Sequence, residues 1–363
     1  GLPFTFKISF PDSLYRGLTF LVISCPCAIA ISVPLSYFTA IGVASKKGIL
    51  IKGSNYLDNL SNVKNIIFDK TGTLTNGSFQ VSQIVISDDN VKDKYIMDEI
   101  IDILIKGESF SNHPIAKSIL KLKDIKVDNQ DVKDFKEITG KGISFTLNDK
   151  KILLGNNKLC PCASYASLHL NIDGEHVASI MIDDGIKKEA KSVITKLKSI
   201  GIKTYMFTGD KKEVALDIGH KLGIDEIKYE MLPTDKFENF ERVSKKNEIT
   251  IFVGDGINDA PVLKRADIGI SMGGVGTDSA IEASDIVLMS DDLTKITEAI
   301  DISKYTKKVI KQNLTFAMLV KISILLLSVF GLANMWFAVF ADTGVTLLTI
   351  LNSLKIMKKF NNK

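Results

Sequence analysis

The 363-residue sequence predicts a doubly wound α/β domain, an α+β domain inserted into it, and three transmembrane α-helices. Short apolar strands alternate with amphipathic helices in the middle of the chain, and this alternation pauses between residues 78 and 182. Near both ends, long apolar stretches contain almost no charged residues. The first two observations predict the interrupted α/β sheet, and the third predicts the membrane part.

The first membrane segment lies within residues 1–46. No charged residue occurs between Gly17 and Ser45, although about 20 residues suffice for a helix to cross a bilayer. The lysines of "SKKGILIKG" follow this stretch, and basic residues next to a span mark the cytoplasmic side.

The second membrane segment, residues 313–363, is predicted to be a two-helix hairpin with a short tail. Its apolar part runs from about Leu314 to Leu354 and contains a turn-prone "GLAN" with Trp336 beside it as an interfacial anchor. The basic stretches "KYTKKVIKQN" and "KIMKKFNNK" flank it. Both outer ends therefore face the cytoplasm, and so does the long polar region before them.

Composition narrows the function classes. With 45% hydrophobic residues the chain is too apolar to be wholly soluble, and its net charge of +4 implies no nucleic-acid partner. The four cysteines form two Cys-Pro-Cys tripeptides, and residues two positions apart do not easily meet disulfide geometry, so free thiols are expected. Because the sequence begins with Gly1 and lacks a signal-peptide pattern, we expect it to be the C-terminal part of a longer protein.

The polar region is predicted to form one sheet from two separate stretches, residues 47–77 and 183–312. The apolar strands in "VKNIIFDKTGT", "IKTYMFTGD" and "EITIFVGDGIND" all end in loops rich in Gly and Asp. In doubly wound parallel sheets, ligands bind at the carboxyl ends of the strands. Residues 78–182 are predicted to be the inserted domain.

Asp69 is the candidate nucleophile, since it ends the first of these strands. A carboxylate can attack phosphorus when a metal ion and fixed cations offset the negative charge that it approaches. The other loops supply Thr208, Gly209 and Asp210, then Lys236, and finally Asp255, Asn258 and Asp259. Each motif alone is usually a simple turn, but their joint occurrence at strand ends indicates phosphoryl transfer.

The motifs "DKTGTLT", "TGD", "PTDK" and "GDGINDAP" resemble those of P-type ATPases, whose phosphorylation domain has the haloacid dehalogenase-like fold. The resemblance implies that Asp69 accepts the γ-phosphoryl group of ATP, and that Lys236 and Thr208 bind that group. It further implies an Mg²⁺ site made by Asp69, Thr71 and Asp255. The remaining catalytic and supporting residues implied are Lys70, Gly209, Asp210, Asn258 and Asp259.

The inserted domain is expected to bind the nucleotide. Glu108 can accept a hydrogen bond from a purine amine, His113 can stack on the ring, and Gly140 and Gly142 allow close backbone approach. From the residues alone, a capping or buried role for His113 is the more common case. The heavy-metal P-type ATPases, however, carry a Glu, a Ser-x-His-Pro and a glycine pair here, and these positions match except that Asn112 stands where the family usually has Glu.

Cys25 and Cys27 flank Pro26 inside the first span. Proline kinks such a helix and frees a backbone carbonyl, and two thiolates suit Zn²⁺, Cd²⁺, Pb²⁺ or Cu⁺. Lys321 and Asp342 are the charged residues within the hairpin, and such charges are usually functional or paired, although Lys321 can also snorkel to the surface. This set resembles the zinc, cadmium and lead-exporting branch, which implies that the four residues serve the transported ion.

The second tripeptide, Cys160-Pro161-Cys162, lies in the inserted domain. A surface or loop role is expected, and metal binding or sensing with His169 as the nearest further ligand is the alternative.

The resemblance implies ATP-driven export of Zn²⁺, Cd²⁺ or Pb²⁺ across the plasma membrane of a prokaryote, with the catalytic domains in the cytoplasm. Expected partners are ATP, the metal ion, the lipid bilayer, a metal donor protein or thiol, and an actuator domain and further spans preceding Gly1. Three alternatives stay open: a copper-class ATPase, a membrane-tethered haloacid dehalogenase-like phosphatase, and a non-transporting module that only binds nucleotide or metal.

Overall fold

The structure is a computed structural model that describes residues 9–361 except 88–90, 92–93, 112, 125–130, 162–165, 245–247, 256–258, 274–277, 331 and 333. The chain divides into two compact units. The first unit comprises Gly1–Thr73 and Lys188–Lys363, and the second comprises Leu74–Lys187.

The strands of the described residues are numbered along the chain: β1 (Ile49–Ile51), β2 (Val63–Asp69), β3 (Thr75–Ile86), β4 (Val132–Ile138), β5 (Gly142–Leu147), β6 (Lys150–Gly155), β7 (Leu168–Ile172), β8 (Glu175–Ile186), β9 (Lys203–Phe207), β10 (Glu226–Lys228), β11 (Ile249–Gly254), β12 (Ile268–Met272) and β13 (Ile286–Leu288).

The helices of the described residues are numbered in the same way: α1 (Phe10–Ser24), α2 (Cys27–Lys46), α3 (Ser54–Leu60), α4 (Met97–Glu108), α5 (Pro114–Ile119), α6 (Ala190–Ser199), α7 (Lys212–Leu222), α8 (Pro233–Val243), α9 (Ala260–Arg265), α10 (Asp278–Ala283), α11 (Thr294–Val329), α12 (Met335–Val339), α13 (Val345–Ser353) and α14 (Lys355–Asn361).

The first unit contains a sheet with strand order β1-β13-β12-β11-β2-β9-β10. All neighbouring strands are parallel except β1 and β13, which are antiparallel. Strand β2 lies in the interior of the sheet, and its residues Ile66, Ile67 and Phe68 are fully buried, as expected for a parallel sheet covered on both faces. The doubly wound α/β fold is therefore confirmed.

The register of the parallel strands brings the predicted loops together. Asp69 at the end of β2 pairs with Phe207 at the end of β9, and Phe68 pairs with Val253 of β11. The loops that begin at Thr208 and Asp255 consequently follow strands on either side of β2.

The second unit contains an antiparallel sheet with strand order β3-β8-β7-β6-β5-β4. One face of it packs on α4 through an apolar core that includes Leu104, Phe145 and Leu170. The unit runs from Leu74 to Lys187, where the sequence pattern indicated 78–182, because the paired strands β3 and β8 extend twelve residues each.

Three helical stretches are long and apolar enough to span a membrane: Leu14–Lys46, Thr294–Ser328 and Met335–Phe360. The first is interrupted between α1 and α2, at the Cys25-Pro26 step. The second, α11, is continuous over 36 residues and passes the predicted boundary at 312/313 without a break. The third contains one wider helical turn, Phe340–Gly344. The three transmembrane helices of the predicted fold are thus confirmed.

Polar side chains join the membrane helices to one another. Ser36 Oγ lies 2.8 Å from Ser353 Oγ, Asn313 Nδ2 donates to the carbonyl oxygen of Thr349 at 3.1 Å, and Asn352 Nδ2 donates to Asn313 Oδ1 at 2.8 Å. In an apolar surrounding such hydrogen bonds fix helices against each other. They hold α2, α11 and α13 together.

Candidate functional site

Asp69 lies at the carboxyl end of β2 and is bound by a lysine from α8. Lys236 Nζ donates to Asp69 Oδ1 at 2.6 Å and to Asp259 Oδ1 at 2.9 Å. Helix α8 starts with Pro233, and the Asp235 carboxylate accepts a hydrogen bond from the Leu232 amide at 2.8 Å. This capping fixes the first turn of α8, which carries Lys236.

The electrostatics of this group depend on its burial. Burial, reinforced by the like charges of Asp259 and Asp255, raises the pKa of Asp69 to about 7, although Lys236 opposes the rise. Burial alone would lower the pKa of Lys236, but the carboxylates of Asp69 and Asp259 outweigh it and the net pKa is raised. Lys236 is therefore a permanent cation, while ionisation of Asp69 needs additional positive charge nearby.

The loop after β9 lies beside Asp69 and forms a second ion pair. Lys70 Nζ is 2.5 Å from Asp210 Oδ2, and Thr208 Oγ1 accepts a hydrogen bond from the Asp210 amide at 3.1 Å. Thr208 is buried and directly follows the residue paired with Asp69. The Thr208-Gly209-Asp210 loop is thus tied to the turn after Asp69.

The turn Lys70–Leu74 approaches Asp255 closely. Gly72 has φ +70°, and a Cβ atom there would lie 3.3 Å from Asp255 Oδ2, so a larger residue would be strained and would crowd the carboxylate. Thr71 is exposed in the same turn. Asn258, the remaining predicted residue of this site, lies outside the described residues.

These residues fit an Mg²⁺ ion. Asp69 ends β2 and Asp255 directly follows the neighbouring strand β11, and their carboxylate oxygens are the hard donors that Mg²⁺ prefers. The raised pKa of Asp69 arises partly from the charge of Asp255. A divalent cation between the two carboxylates would remove that repulsion, so the donor set and its charge both match the ion.

The second unit has a cavity of about 240 Å³, and all four residues predicted to bind nucleotide line it: Glu108, His113, Gly140 and Gly142. Gly142 has φ +144°, and a Cβ atom there would clash with the Leu154 carbonyl oxygen. Asn156 Nδ2 donates to the Gly140 carbonyl oxygen at 2.9 Å and fixes the glycine turn. His113 is exposed, and its Nδ1 accepts from the Ile115 amide at 3.3 Å, so it also caps α5.

Glu137 is a cavity residue that the sequence analysis missed. Burial, together with the charge of Glu137, raises the pKa of Glu108 to about 7. The sequence could have pointed to Glu137, because it is a carboxylate three residues before Gly140, on the strand that leads into the glycine turn.

The membrane residues Cys25, Cys27 and Asp342 form a cluster. Their ligand atoms, two Sγ and one carboxylate oxygen, lie within 4.8 Å of one another. Asp342 is held in the wide turn Phe340–Gly344, and turns of this kind are frequent at functional sites.

Lys321 belongs to the same cluster. Its Nζ lies 3.9 Å from Asp342 Oδ1, and the residue is only 7% exposed. The alternative in which Lys321 snorkels to the membrane surface is therefore wrong, because the side chain turns inward to a carboxylate.

Residues two positions apart were not expected to meet disulfide geometry easily, but Cys25 and Cys27 do lie within that reach. The non-helical step at Pro26 brings their Cα atoms to 5.6 Å, so that the two Sγ atoms lie side by side. Binding of a cation by these two sulfur atoms requires the reduced form of the pair.

Cys160 of the second tripeptide lies in a loop, as one half of the expectation had it. It is fully buried and not on the surface, with Sγ 3.8 Å from the Leu153 carbonyl oxygen. Cys162 lies outside the described residues. Among the described residues, Cys160 does not join His169 in a cluster of metal ligands.

Comparisons with known proteins identify the family of the chain. The model of the haloacid dehalogenase-like hydrolase family matches residues 63–267. A cadmium, zinc and cobalt-transporting ATPase of Bacillus subtilis (strain 168) is 46% identical over 96% of this chain, and a zinc-transporting ATPase of Synechocystis sp. is 44% identical over 96%.

The chain covers 51% and 49% of these two proteins, so it spans about half the length of the curated relatives that it matches. The crystal structure of a zinc-transporting PIB-type ATPase in the E2.Pi state matches with a TM-score of 0.88 at 30% identity, covering 98% of this chain and 60% of that one. The chain therefore belongs to the haloacid dehalogenase-like hydrolase family, and its resemblance to the heavy-metal-transporting P-type ATPases is confirmed.

Proposed function

We propose that this chain is the catalytic and ion-binding part of an ATP-driven transporter that exports a soft divalent metal cation, Zn²⁺, Cd²⁺ or Pb²⁺. The observation that carries the proposal is the convergence of Cys25, Cys27 and Asp342 within the candidate membrane spans. The names of the relatives, which are zinc and cadmium transporters, support it.

The charge of the membrane cluster favours a divalent cation. In the reduced form, the thiolates of Cys25 and Cys27 and the carboxylate of Asp342 carry three negative charges, and Lys321 carries one positive charge. The sum, −2, neutralises a divalent ion but leaves one negative charge beside Cu⁺. Since uncompensated charge is costly inside a membrane, the copper-class alternative is disfavoured.

The site around Asp69 would drive transport by phosphoryl transfer. An oxygen of Asp69 forms a bond to the γ-phosphorus of ATP, the bond from that phosphorus to the bridging β–γ oxygen breaks, and ADP leaves with the electron pair. Lys236 and Thr208 hold the transferring group, and the Lys70–Asp210 pair keeps the neighbouring loop in place. Mg²⁺ held by Asp69, Thr71 and Asp255 would neutralise charge on the phosphoryl oxygens.

The cavity of the second unit is proposed to bind the nucleoside part of ATP. Buried Glu108 accepts a hydrogen bond from the adenine amine, while exposed His113 stacks on the ring. Gly140 and Gly142 supply backbone without side chains, so that the nucleotide can lie directly on the chain.

The length of the relatives bears on the rest of the transport cycle. Because the relatives are about twice as long, we propose that an actuator domain and further spans of the same protein complete the transporter. The catalytic domains would lie in the cytoplasm of a prokaryotic cell and the spans in its plasma membrane. A metal donor protein or a small thiol would deliver the ion to Cys25 and Cys27 in their reduced form.

The test is metal-stimulated ATP hydrolysis by the full-length protein in lipid vesicles under reducing conditions. Zn²⁺, Cd²⁺ and Pb²⁺ are expected to stimulate hydrolysis and Cu⁺ is not, while Asp69→Asn abolishes the activity and Cys25→Ser abolishes its metal dependence. Ser24→Ala, which changes the exposed neighbour of Cys25, is the matched control and should behave as wild type. Stimulation by Cu⁺ alone would refute the divalent assignment, and hydrolysis that survives Asp69→Asn would refute the mechanism.

A further inference from the structure

Two histidines that none of the sites described above uses converge on the sheet of the second unit. His169 on β7 and His176 on β8 point one ring nitrogen at each other, with Nδ1 of His169 and Nε2 of His176 3.3 Å apart. Ser179 Oγ lies 3.5 Å from the first of these nitrogens and 3.4 Å from the second. The three atoms form a nearly equilateral triangle.

The outer sides of both rings are held by oxygen partners. Ser87 Oγ lies 2.6 Å from Nδ1 of His176, and backbone hydrogen bonds join His169 to Ala166 and His176 to Ala178. Histidines that bind metal ions are usually oriented by hydrogen bonds of this kind, in which one ring nitrogen bonds to an oxygen atom while the other binds the ion.

The triangle lies on the polar face of the sheet, opposite the apolar core. Leu168 and Leu170 belong to that core, and His169 between them points to the other face. His169 is fully buried, whereas His176 is partly exposed and offers a path from solvent. Asn171 pairs with His176 in the strand register, and its Oδ1 is buried with no hydrogen-bond partner among the described residues.

We infer that His169, His176 and Ser179 form a binding site for a divalent transition-metal cation of the zinc class. In a tetrahedral site with Zn–N distances of about 2.0–2.1 Å, the ligand atoms lie about 3.3–3.4 Å from one another, which matches the triangle's edges of 3.3 to 3.5 Å. Two neutral imidazoles and a hydroxyl supply three positions of a tetrahedron. Water or Asn171 Oδ1 supplies the fourth.

The site adjoins the nucleotide cavity but does not depend on the proposed transport function. Ser167 and Leu168, which immediately precede His169, line that cavity. An ion on His169 would therefore restrain one wall of it.

The test uses the full chain in detergent with Cys25→Ser and Cys27→Ser, so that the membrane cluster cannot bind metal. Excess Mg²⁺ occupies the carboxylates near Asp69. Titration with Co²⁺, followed by its visible d–d absorption, is expected to show one tetrahedral ion per chain, and Zn²⁺ is expected to displace it. Competition with a chromophoric chelator measures the affinity.

His176→Gln is expected to remove this ion, and Ser87→Ala, which removes only an outer partner, to weaken binding by about 10-fold or more. His220→Gln changes the exposed histidine of α7 and should leave binding unchanged. Circular dichroism is used to check that each variant folds. If His176→Gln does not fold, the metal affinity of Ser87→Ala is the deciding measurement. Binding that is unaffected by these variants, or absent in the parent chain, would show a purely hydrogen-bonded histidine pair and overturn the inference.

Discussion

The buried carboxylate of Asp69 makes a specific prediction about stability. In the absence of divalent cations and nucleotide, the free energy of unfolding is expected to fall as pH rises from about 4 to above 7. The cause is that Asp69 is enclosed with the negative charges of Asp259 and Asp255, and Lys236 compensates only part of them. The isosteric variant Asp69→Asn, which cannot ionise, should lack this contribution.

The magnitude follows from the difference between the folded and unfolded pKa values of Asp69. The pKa is about 7 in the fold and 3.8 in the free side chain, a difference of about 3 units, and each unit corresponds to about 1.4 kcal/mol, which gives about 4 kcal/mol. Because the folded state binds the proton more tightly, the stabilisation is complete below pH 3.8 and is lost as pH rises through about 7.

The assay is unfolding of the detergent-solubilised chain between pH 4 and 8 in the presence of a chelator. Across this range the free energy of unfolding of the wild type is expected to fall by about 4 kcal/mol relative to that of Asp69→Asn. Mg²⁺ should restore most of this free energy at high pH. Glu238→Gln, which removes an exposed carboxylate two residues after Lys236, is the control and should follow wild type. Identical pH profiles for wild type and Asp69→Asn would refute the reasoning.

Two further predictions concern the other sites. Lys321→Ala leaves the Asp342 carboxylate without its cation, so the free energy of unfolding is expected to fall by about 3–5 kcal/mol. The double variant with Asp342→Ala should recover part of this loss. Additive effects of the two substitutions would contradict the pairing. Because adenine donates to the ionised form of Glu108, ATP affinity measured by calorimetry should rise as pH passes about 7, and Glu108→Gln should remove this dependence. An unchanged pH profile in Glu108→Gln would exclude the contact.

The fold and the position of the phosphorylation site were predictable from the sequence because both depend on short-range patterns. Apolar runs that end in Asp and Gly define parallel strands, and parallel strands place their carboxyl ends at one edge. Asp69, Thr208 and Asp255 could thus be placed together without knowledge of any contact between their side chains. The strand register then fixes their proximity.

The remaining features depend on contacts between distant residues, which no local pattern encodes. The inward direction of Lys321 is set by Asp342 on another helix, and the snorkelling alternative was equally consistent with its sequence. The convergence of His169 and His176 depends on the register of β7 with β8, where an irregularity places His176 and Ser179 on the same face. Strict alternation along β8 would have separated these two side chains.

The proposed Mg²⁺ and transport sites share one electrostatic design. Three carboxylates and one lysine around Asp69 sum to −2, as do the two thiolates, one carboxylate and one lysine of the reduced membrane cluster. In each case the lysine offsets only part of the negative charge, so that a divalent cation completes the site while a monovalent one does not. Because buried charge imbalance is costly, each site is expected to take up protons when it holds no divalent cation, at the carboxylate of Asp69 and at the thiolates of the cysteine pair.

The histidine pair follows a different rule, since its ligands are neutral and a bound cation keeps its full charge. At this site the ion is then selected by the softness and the geometry of the ligands, because there is no ligand charge to match. We therefore expect the histidine site to bind more weakly than the membrane cluster and to release its ion more readily.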